Sequence, residues 1–512
     1  MSQIAASQPA PVSPAPESHP PGLYALFTTE MWERFSYYGM RALLTLYLMK
    51  ALRYEEKDAL EIYAIYTGLV YLTPLFGGRL ADLYLGQRKA IFIGGILMAL
   101  GQFALMRPET LGLGLGLMIV GNGFFKPNIS VMVGQLYPAG DVRRDGAYTL
   151  FYMGINLGAA IAPWITGYLA NEPRFGWPWG FAAAGVGMTL GLFAFLFTQR
   201  WLQGVGLPPG REASPNAALT LKDWGQIIAV AAALAVGVYT VIQLWPSVRF
   251  LWSPAWLSSG LAAFAYKACV LGILLGLFLW ATERKAETEM EEMHQPFTAA
   301  DWQRIGVIIV ISLFSVLFWM GFEQSGGTLN IFADEKTDRV LFGYKLTTEA
   351  FQSINPLFII TLAPVFAAVW TFLARRGMDL PSVSKQGLGL ILLSGAFVLM
   401  YFADERAREV GKVSPFWLIG VYLIFTVAEL FLSPIGLSLV NKLAHPRIAS
   451  LAMAFWFLCT AAANYLAGIV KHDIVEPNGY NLWVFLGLTA LVSGLIMLAL
   501  TPVLVKMSHG RV

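Results

Sequence analysis

The sequence predicts an all-α membrane protein: two six-helix bundles with two helices inserted between them, fourteen transmembrane helices in all. Three observations predict it. Hydrophobic residues make up 56% of the 512-residue chain and charged residues 13%, with a mean hydropathy of +0.59. A soluble fold has too little interior to hide that much apolar surface, whereas a bilayer solvates it. Apolar segments of about twenty residues or more, the length that crosses a hydrocarbon core, recur fourteen times. The 50 glycines suit close helix approach in lipid, where small residues let backbones meet.

The elements follow in order. Residues 1–22, rich in Pro, Ser and Ala, lack the basic-then-apolar order of a signal peptide and read as a disordered cytoplasmic tail. Spans at 23–51, 57–78, 88–106, 111–134, 145–169 and 179–199 make the first bundle, 23–199. A linker, 200–223, leads to the inserted pair within 224–281, at 224–246 and 255–281, where Lys267 is the one charge in a span. A charged linker, 282–303, precedes spans at 304–331, 346–373, 386–403, 414–440, 447–470 and 480–506, which make the second bundle, 304–506; residues 507–512 are a tail. With the N-terminus inside, cytoplasmic segments hold roughly eighteen Lys and Arg against roughly twelve outside. The bias predicts a multi-pass protein of the cytoplasmic (inner) membrane with both termini cytoplasmic. Two halves of this kind suit a transporter with alternating access.

Composition also excludes. A net charge of +3, with no basic run outside the loops, gives no sign of a nucleic-acid partner. Cys269 and Cys459 cannot form a disulfide framework and lack metal-ligand spacing, and the five histidines fall in tails or loops. No metal site, cofactor or catalytic residue is expected, which argues against a membrane-embedded enzyme. Proton chemistry inside the membrane falls to carboxylates.

Gly78, Asp82, Gly86, Arg88 and Lys89 lie in GGRLADLYLGQRK, between the second and third spans. At this place the pattern resembles the signature loop of the major facilitator superfamily, which implies a role in conformational control. In that motif glycine permits close approach and the acid pairs with a helix end or a base.

A charge at mid-membrane is costly, and those that persist usually line a wet cavity or pathway. Seven candidates for such a role sit inside predicted spans: Glu30, Glu33, Arg34, Arg41, Lys126, Glu323 and Glu429. Glu30, Arg34 and Tyr38 are four apart on the first helix, and Glu33, Tyr37 and Arg41 repeat that spacing one strip over. The two strips adjoin into one polar face of about three turns. Two acids, two bases and two tyrosines exceed what a structural seam between helices needs. Lys126, deep in the fourth span, requires a partner, and Glu33 or Glu30 is the supply; Pro127 beside it weakens the helix. Glu323 and Glu429 are the acids of the second half. Desolvation favours a neutral carboxyl and a neighbouring base favours a charged one, and that balance lets a site take and release protons.

These residues also carry a family resemblance. EMWERFSYYG (Glu30–Gly39), FFKPNIS (Phe124–Ser130), FYMGINLGA (Phe151–Ala159), QSINPLFI (Gln352–Ile359) and FTVAELFLSPIGLSLVNKLAHPR (Phe425–Arg447) stand in order along the membrane region. They resemble the conserved blocks of the proton-dependent oligopeptide transporter (POT) family, whose bacterial members have fourteen helices. The resemblance implies proton-coupled import of di- and tripeptides by a functional monomer in the lipid bilayer, with H+ as coupling ion and no cofactor. It implies that Arg34 and Lys126 bind the peptide carboxylate, and that Glu429, Asn156 and Asn355 hold the amino end. Tyr37, Tyr38, Tyr66, Trp319, Trp456 and Ser433 would shape side-chain pockets. Glu30, Glu33, Arg34, Lys126, Arg41 and Glu323 would serve proton coupling, with Glu33 paired to Lys126 and Glu323 to Arg41. The second span has no histidine, so a coupling scheme like that of animal members, which use one there, is excluded.

Physics agrees with such a site. Every short peptide carries a cation and an anion about 5–7 Å apart in a dipeptide. A site basic in one half and acidic in the other holds both ends and leaves side chains free. Rival readings keep the scaffold with another small solute, or make the protein a channel. The tyrosines could equally pack, Trp319 and Trp456 could belong to an interfacial belt, and the asparagines could be interhelical glue.

Overall fold

The computed structural model describes residues 18–138, 141, 143–209, 219–252, 297–378, 380–432, 436–445 and 448–510. Helices occupy thirteen of the fourteen predicted spans; the span at 255–281, with Lys267, lies outside the described residues, as does Ser433. Among the described residues, nine helices are long and apolar enough to cross a membrane by length and composition.

In the first half, α1 (Pro21–Leu46) begins on Pro21, whose missing N–H costs nothing at a helix start. Then come α2 (Glu56–Leu72), α3 (Pro74–Leu80), α4 (Gln87–Ala104), α5 (Leu111–Gln135), α6 (Arg143–Asn171) and α7 (Trp177–Thr198). Helix α1 packs on α6 and α7, and α4 on α5. Glycine makes the second contact close: an added Cβ at Gly94 or Gly101 of α4 would fall 2.5 or 2.8 Å from the Gly121 or Gly114 carbonyl oxygen of α5. Pro127 stays inside a continuous α5.

Helix α8 (Leu221–Trp252) lies against α4 and α5. Its start is fixed by a reciprocal cap, in which the Thr220 amide donates to Asp223 Oδ2 (2.7 Å) and the Asp223 amide to Thr220 Oγ1 (3.3 Å).

The second half holds α9 (Ala299–Phe322), α10 (Thr328–Glu335), α11 (Ile354–Arg375), α12 (Ser382–Val410), α13 (Phe416–Leu432), α14 (Gly436–Leu443), α15 (Ala449–Ile469) and α16 (Leu482–Met507). The predicted span 304–331 is broken: a 3-10 turn over Glu323–Ser325 separates α9 from α10. A two-stranded hairpin, Val340–Leu341 with Tyr344–Lys345, was not foreseen. Its turn residues Phe342 and Gly343 both have positive φ (49° and 84°), which matches the twist of a tight hairpin. Helix α12 packs on α13 and α16, and α9 on α15 and α16.

The halves meet through α2 against α15 and α6 against α11. One end of this junction, where α1 finishes and α2 starts, is shut by a belt of polar bonds. Thr45 Oγ1 donates to the Gly326 carbonyl (3.0 Å), Asn330 Nδ2 to the Ala42 carbonyl (3.1 Å) and Asn171 Nδ2 to Glu349 Oε2 (3.0 Å). Lys50 pairs with Asp334 (2.5 Å), Lys57 with Asp473 (2.8 Å) and Glu56 with Lys471. We call this the closed end.

Candidate functional site

The polar face of α1 folds inward. Glu30 and Glu33 have fully buried side chains and that of Arg34 is 8% exposed. Arg34 forks onto Glu33, with its second guanidinium nitrogen 2.5 Å from Oε1, and lies 3.4 Å from Glu30. Lys126 of α5 pairs with Glu30. This corrects the pairing expected from the resemblance: Lys126 holds Glu30, and Glu33 belongs to Arg34. Successive residues on a helix point about 100° apart, so the acid that meets Lys126 depends on how α5 is rotated against α1. Two acids and two bases thus form one neutral buried quartet, and Lys126, with its side chain 29% exposed, is its least buried member. Asn122, one turn before Lys126, approaches Glu33 at 3.5 Å. Sequence reasoning missed it, although the i,i+4 relation to Lys126 places it on the same face.

Tyrosines support the guanidinium groups. Arg34 lies over the Tyr37 ring at 4.8 Å and the Tyr38 ring at 5.9 Å, and Arg41 over Tyr38 at 5.8 Å. Tyr66 of α2 stacks on Tyr37. Arg41 pairs with Glu323 across the halves and donates from Nε to the Tyr63 hydroxyl (2.6 Å). The turn that breaks α9 from α10 is what carries Glu323 to Arg41.

Between the halves lies a cavity of about 150 Å³. Tyr38, Arg41, Asn156, Trp319, Glu323, Asn355 and Glu429 stand in its wall. Glu429 of α13 accepts from Asn355 Nδ2 of α11 (3.0 Å), which also reaches Thr426 Oγ1 (3.0 Å). Asn156 Nδ2 donates to the Tyr152 carbonyl one turn back (2.9 Å). Arg34, Lys126, Tyr37 and Tyr66 do not line this cavity; Tyr38, which does, lies under the Arg34 guanidinium. Trp456 is not in the wall; it packs in the apolar cluster of Val307, Ile311, Leu439 and Leu443. A mid-span tryptophan signals burial, not the direction it faces. The wall also contains Tyr71, Tyr152 and Gln352, which the sequence reading did not assign. Tyr152 and Gln352 belong to the FYMGINLGA and QSINPLFI blocks, so their signal was position within a block.

The loop between α3 and α4 grips its own half. Gly78 packs against Pro127, an added Cβ there meeting the ring at 3.3 Å. Gly86 has φ 75°, and a Cβ would fall 2.6 Å from the Leu207 carbonyl. Asp82 accepts from the Gln87 amide (3.0 Å) at the start of α4. Arg88 donates to the carbonyls of Val205 (2.7 Å) and Gln203, while Lys89 reaches Asp223 (3.0 Å) and Gln226 (2.5 Å) of α8. Both bases therefore tie the loop to the following linker and the inserted helix.

Comparison with known proteins closes the matter of kinship. The sequence profile of the POT family (PTR2) matches residues 88–243 and 265–482. The chain belongs to the POT family. Peptide transporter YePEPT of Yersinia enterocolitica subsp. palearctica is 36% identical over 88% of this chain and 87% of its own length. Dipeptide and tripeptide permease A of Salmonella typhi is 30% identical over 96% and 93%. A crystal structure of a peptide transporter POT in complex with sulfate superposes with TM-score 0.76, at 34% identity over 96% of both chains. The fold is accordingly the all-helical major facilitator fold that the sequence predicted.

Proposed function

We propose that this chain is a proton-coupled symporter that imports di- and tripeptides across the cytoplasmic membrane by alternating access, with both termini cytoplasmic and the closed end outside. The observation that carries this reading is the opposition of two poles across the junction. A quartet with two cations belongs to the first half, and Glu429, hydrogen-bonded to neutral Asn355, to the second. A peptide zwitterion carries the two charges such poles would hold, and binding both ends would draw the halves together. The names of the relatives, a peptide transporter and a dipeptide and tripeptide permease, support the cargo.

Coupling follows from the pairing. A peptide carboxylate at Lys126 competes with Glu30, and one at Arg34 competes with Glu33. The displaced carboxylate, buried and without its cation, favours its protonated form. Protonation of Glu323 likewise releases Arg41 and loosens the closed end. Trp319, Asn156, Gln352 and Tyr71 contact the cargo from the cavity wall, Tyr37 and Tyr66 support Arg34 at the carboxylate pole, and Trp456 and Ser433 belong to the side-chain pockets that the family resemblance implies. Gly78, Asp82, Gly86, Arg88 and Lys89 keep the first half and its linker rigid as the halves move.

The test is uptake of labelled dialanine into proteoliposomes with and without an inward proton gradient. Gradient-dependent accumulation that tripeptides compete away is the expected result. Counterflow without accumulation removes the coupling, and folded protein with no peptide flux removes the cargo.

A further inference from the structure

The closed end is drawn tighter than its polar bonds require. At three separate places the halves touch only because a glycine stands there. At Gly326, in the turn between α9 and α10, an added Cβ would overlap the Tyr63 hydroxyl and lie 2.6 Å from its Cζ and 3.2 Å from Arg41 Nε. At Gly468, near the end of α15, it would overlap Ala64 Cβ and lie 2.5 Å from the Leu60 carbonyl oxygen of α2. At Gly167 of α6 it would lie 2.9 Å from both Glu349 Cβ and Thr347 Oγ1. Side chains in a packed interior cannot hold such separations without displacing a neighbour.

Backbone conformation does not call for glycine at these positions. Gly326 has φ −89°, and neither Gly167 nor Gly468 is among the residues with positive φ. Gly167 and Gly468 sit inside helices, where alanine is the better helix former. Close approach is therefore what glycine supplies there. Each contact also lies beside a bond of the belt: Gly326 beside Arg41–Glu323 and Thr45, Gly468 beside Lys57–Asp473, Gly167 beside Asn171–Glu349.

We infer that Gly167, Gly326 and Gly468 are positioning residues of the transport cycle, whose missing Cβ atoms let the halves shut at the closed end and so set the balance between the two access states. This rests on the alternating-access reading. A contact between halves exists in one state only, so a Cβ placed there penalises that state alone. A contact within a half, such as Gly94 against Gly121, is present in both states and acts on folding.

The test reads distance, not transport. The full chain, with Cys269 and Cys459 replaced by serine, carries spin labels at Glu55→Cys and Asn478→Cys. These two exposed positions lie on opposite halves at the closed end. Double electron–electron resonance in nanodiscs then gives the populations. Gly326→Ala, Gly468→Ala and Gly167→Ala should each raise the long-distance population relative to the short one roughly tenfold, since overpacking acts on one of two states. Gly395→Ala, with no neighbour within 4 Å, should leave it unchanged. Tyr63→Ala added to Gly326→Ala removes the obstructing ring and should return the distribution to that of Tyr63→Ala alone. Unchanged distances in folded Gly326→Ala and Gly468→Ala overturn the inference, as does a double variant as open as Gly326→Ala. Loss of folding in all three variants also overturns it, placing the glycines in the fold rather than the cycle. The distances need no cargo, so failure of the dialanine assay leaves this result to stand or fall separately.

Discussion

The two poles of the site are built differently. In the first half four charges pair with one another: Arg34 forks onto Glu33 and Lys126 takes Glu30. In the second half Glu429 has a neutral amide for company. A balanced quartet stays buried without net charge, and it can trade one carboxylate for another at little electrostatic cost. A carboxylate held by neutral donors keeps its acceptor capacity for a cation. In the proposed cycle the first pole exchanges anions and protons, and the second receives an ammonium group.

The largest expected effect breaks the quartet. Lys126→Ala leaves Glu30 with Arg34 alone, at 3.4 Å. Dialanine uptake should fall on the order of a hundredfold, from loss of a buried pair worth about 3 kcal/mol. Glu30→Gln and Glu33→Gln keep the shape of the site but remove the proton acceptor. Gradient-driven accumulation should vanish in both while counterflow persists; accumulation in both variants would sink the exchange scheme. Glu429→Gln tests the other pole. The KM for dialanine should rise roughly thirtyfold, the loss of a charged hydrogen bond of about 2 kcal/mol. The preference for free over N-acetylated dipeptide should shrink with it, and an unchanged preference would remove the ammonium from Glu429. The smallest effect belongs to Asn122→Ala, whose contact with Glu33 is long. A change of about threefold in uptake is expected for a single weak hydrogen bond, and a loss as large as that of Lys126→Ala would show that Asn122 is part of the exchange itself.

The polar strip on α1 was legible because helical periodicity is local: spacing of four puts Glu30, Arg34 and Tyr38 on one face whatever surrounds them. The need of Lys126 for a partner was legible too, since an unpaired ammonium in hydrocarbon is costly. Which acid it takes was not, because Glu30 and Glu33 were both in reach until α5 took its rotation against α1. The same limit hid Tyr71, since an apolar span reports burial and not facing. The break between α9 and α10 went unread because Gly326 and Gly327 are tolerated within an apolar run.

By itself the sequence determined that the chain lies in a bilayer, crosses it as helices and carries charges that only a polar interior can hold, because hydropathy and helical period are properties of segments. The tertiary structure decided the partners: Glu30 for Lys126, Glu33 for Arg34, Asp223 for Lys89. It also decided that the halves close on glycine at Tyr63, Ala64 and Glu349. Those choices depend on the relative rotation and depth of helices far apart in the chain, which no segment carries in its own pattern.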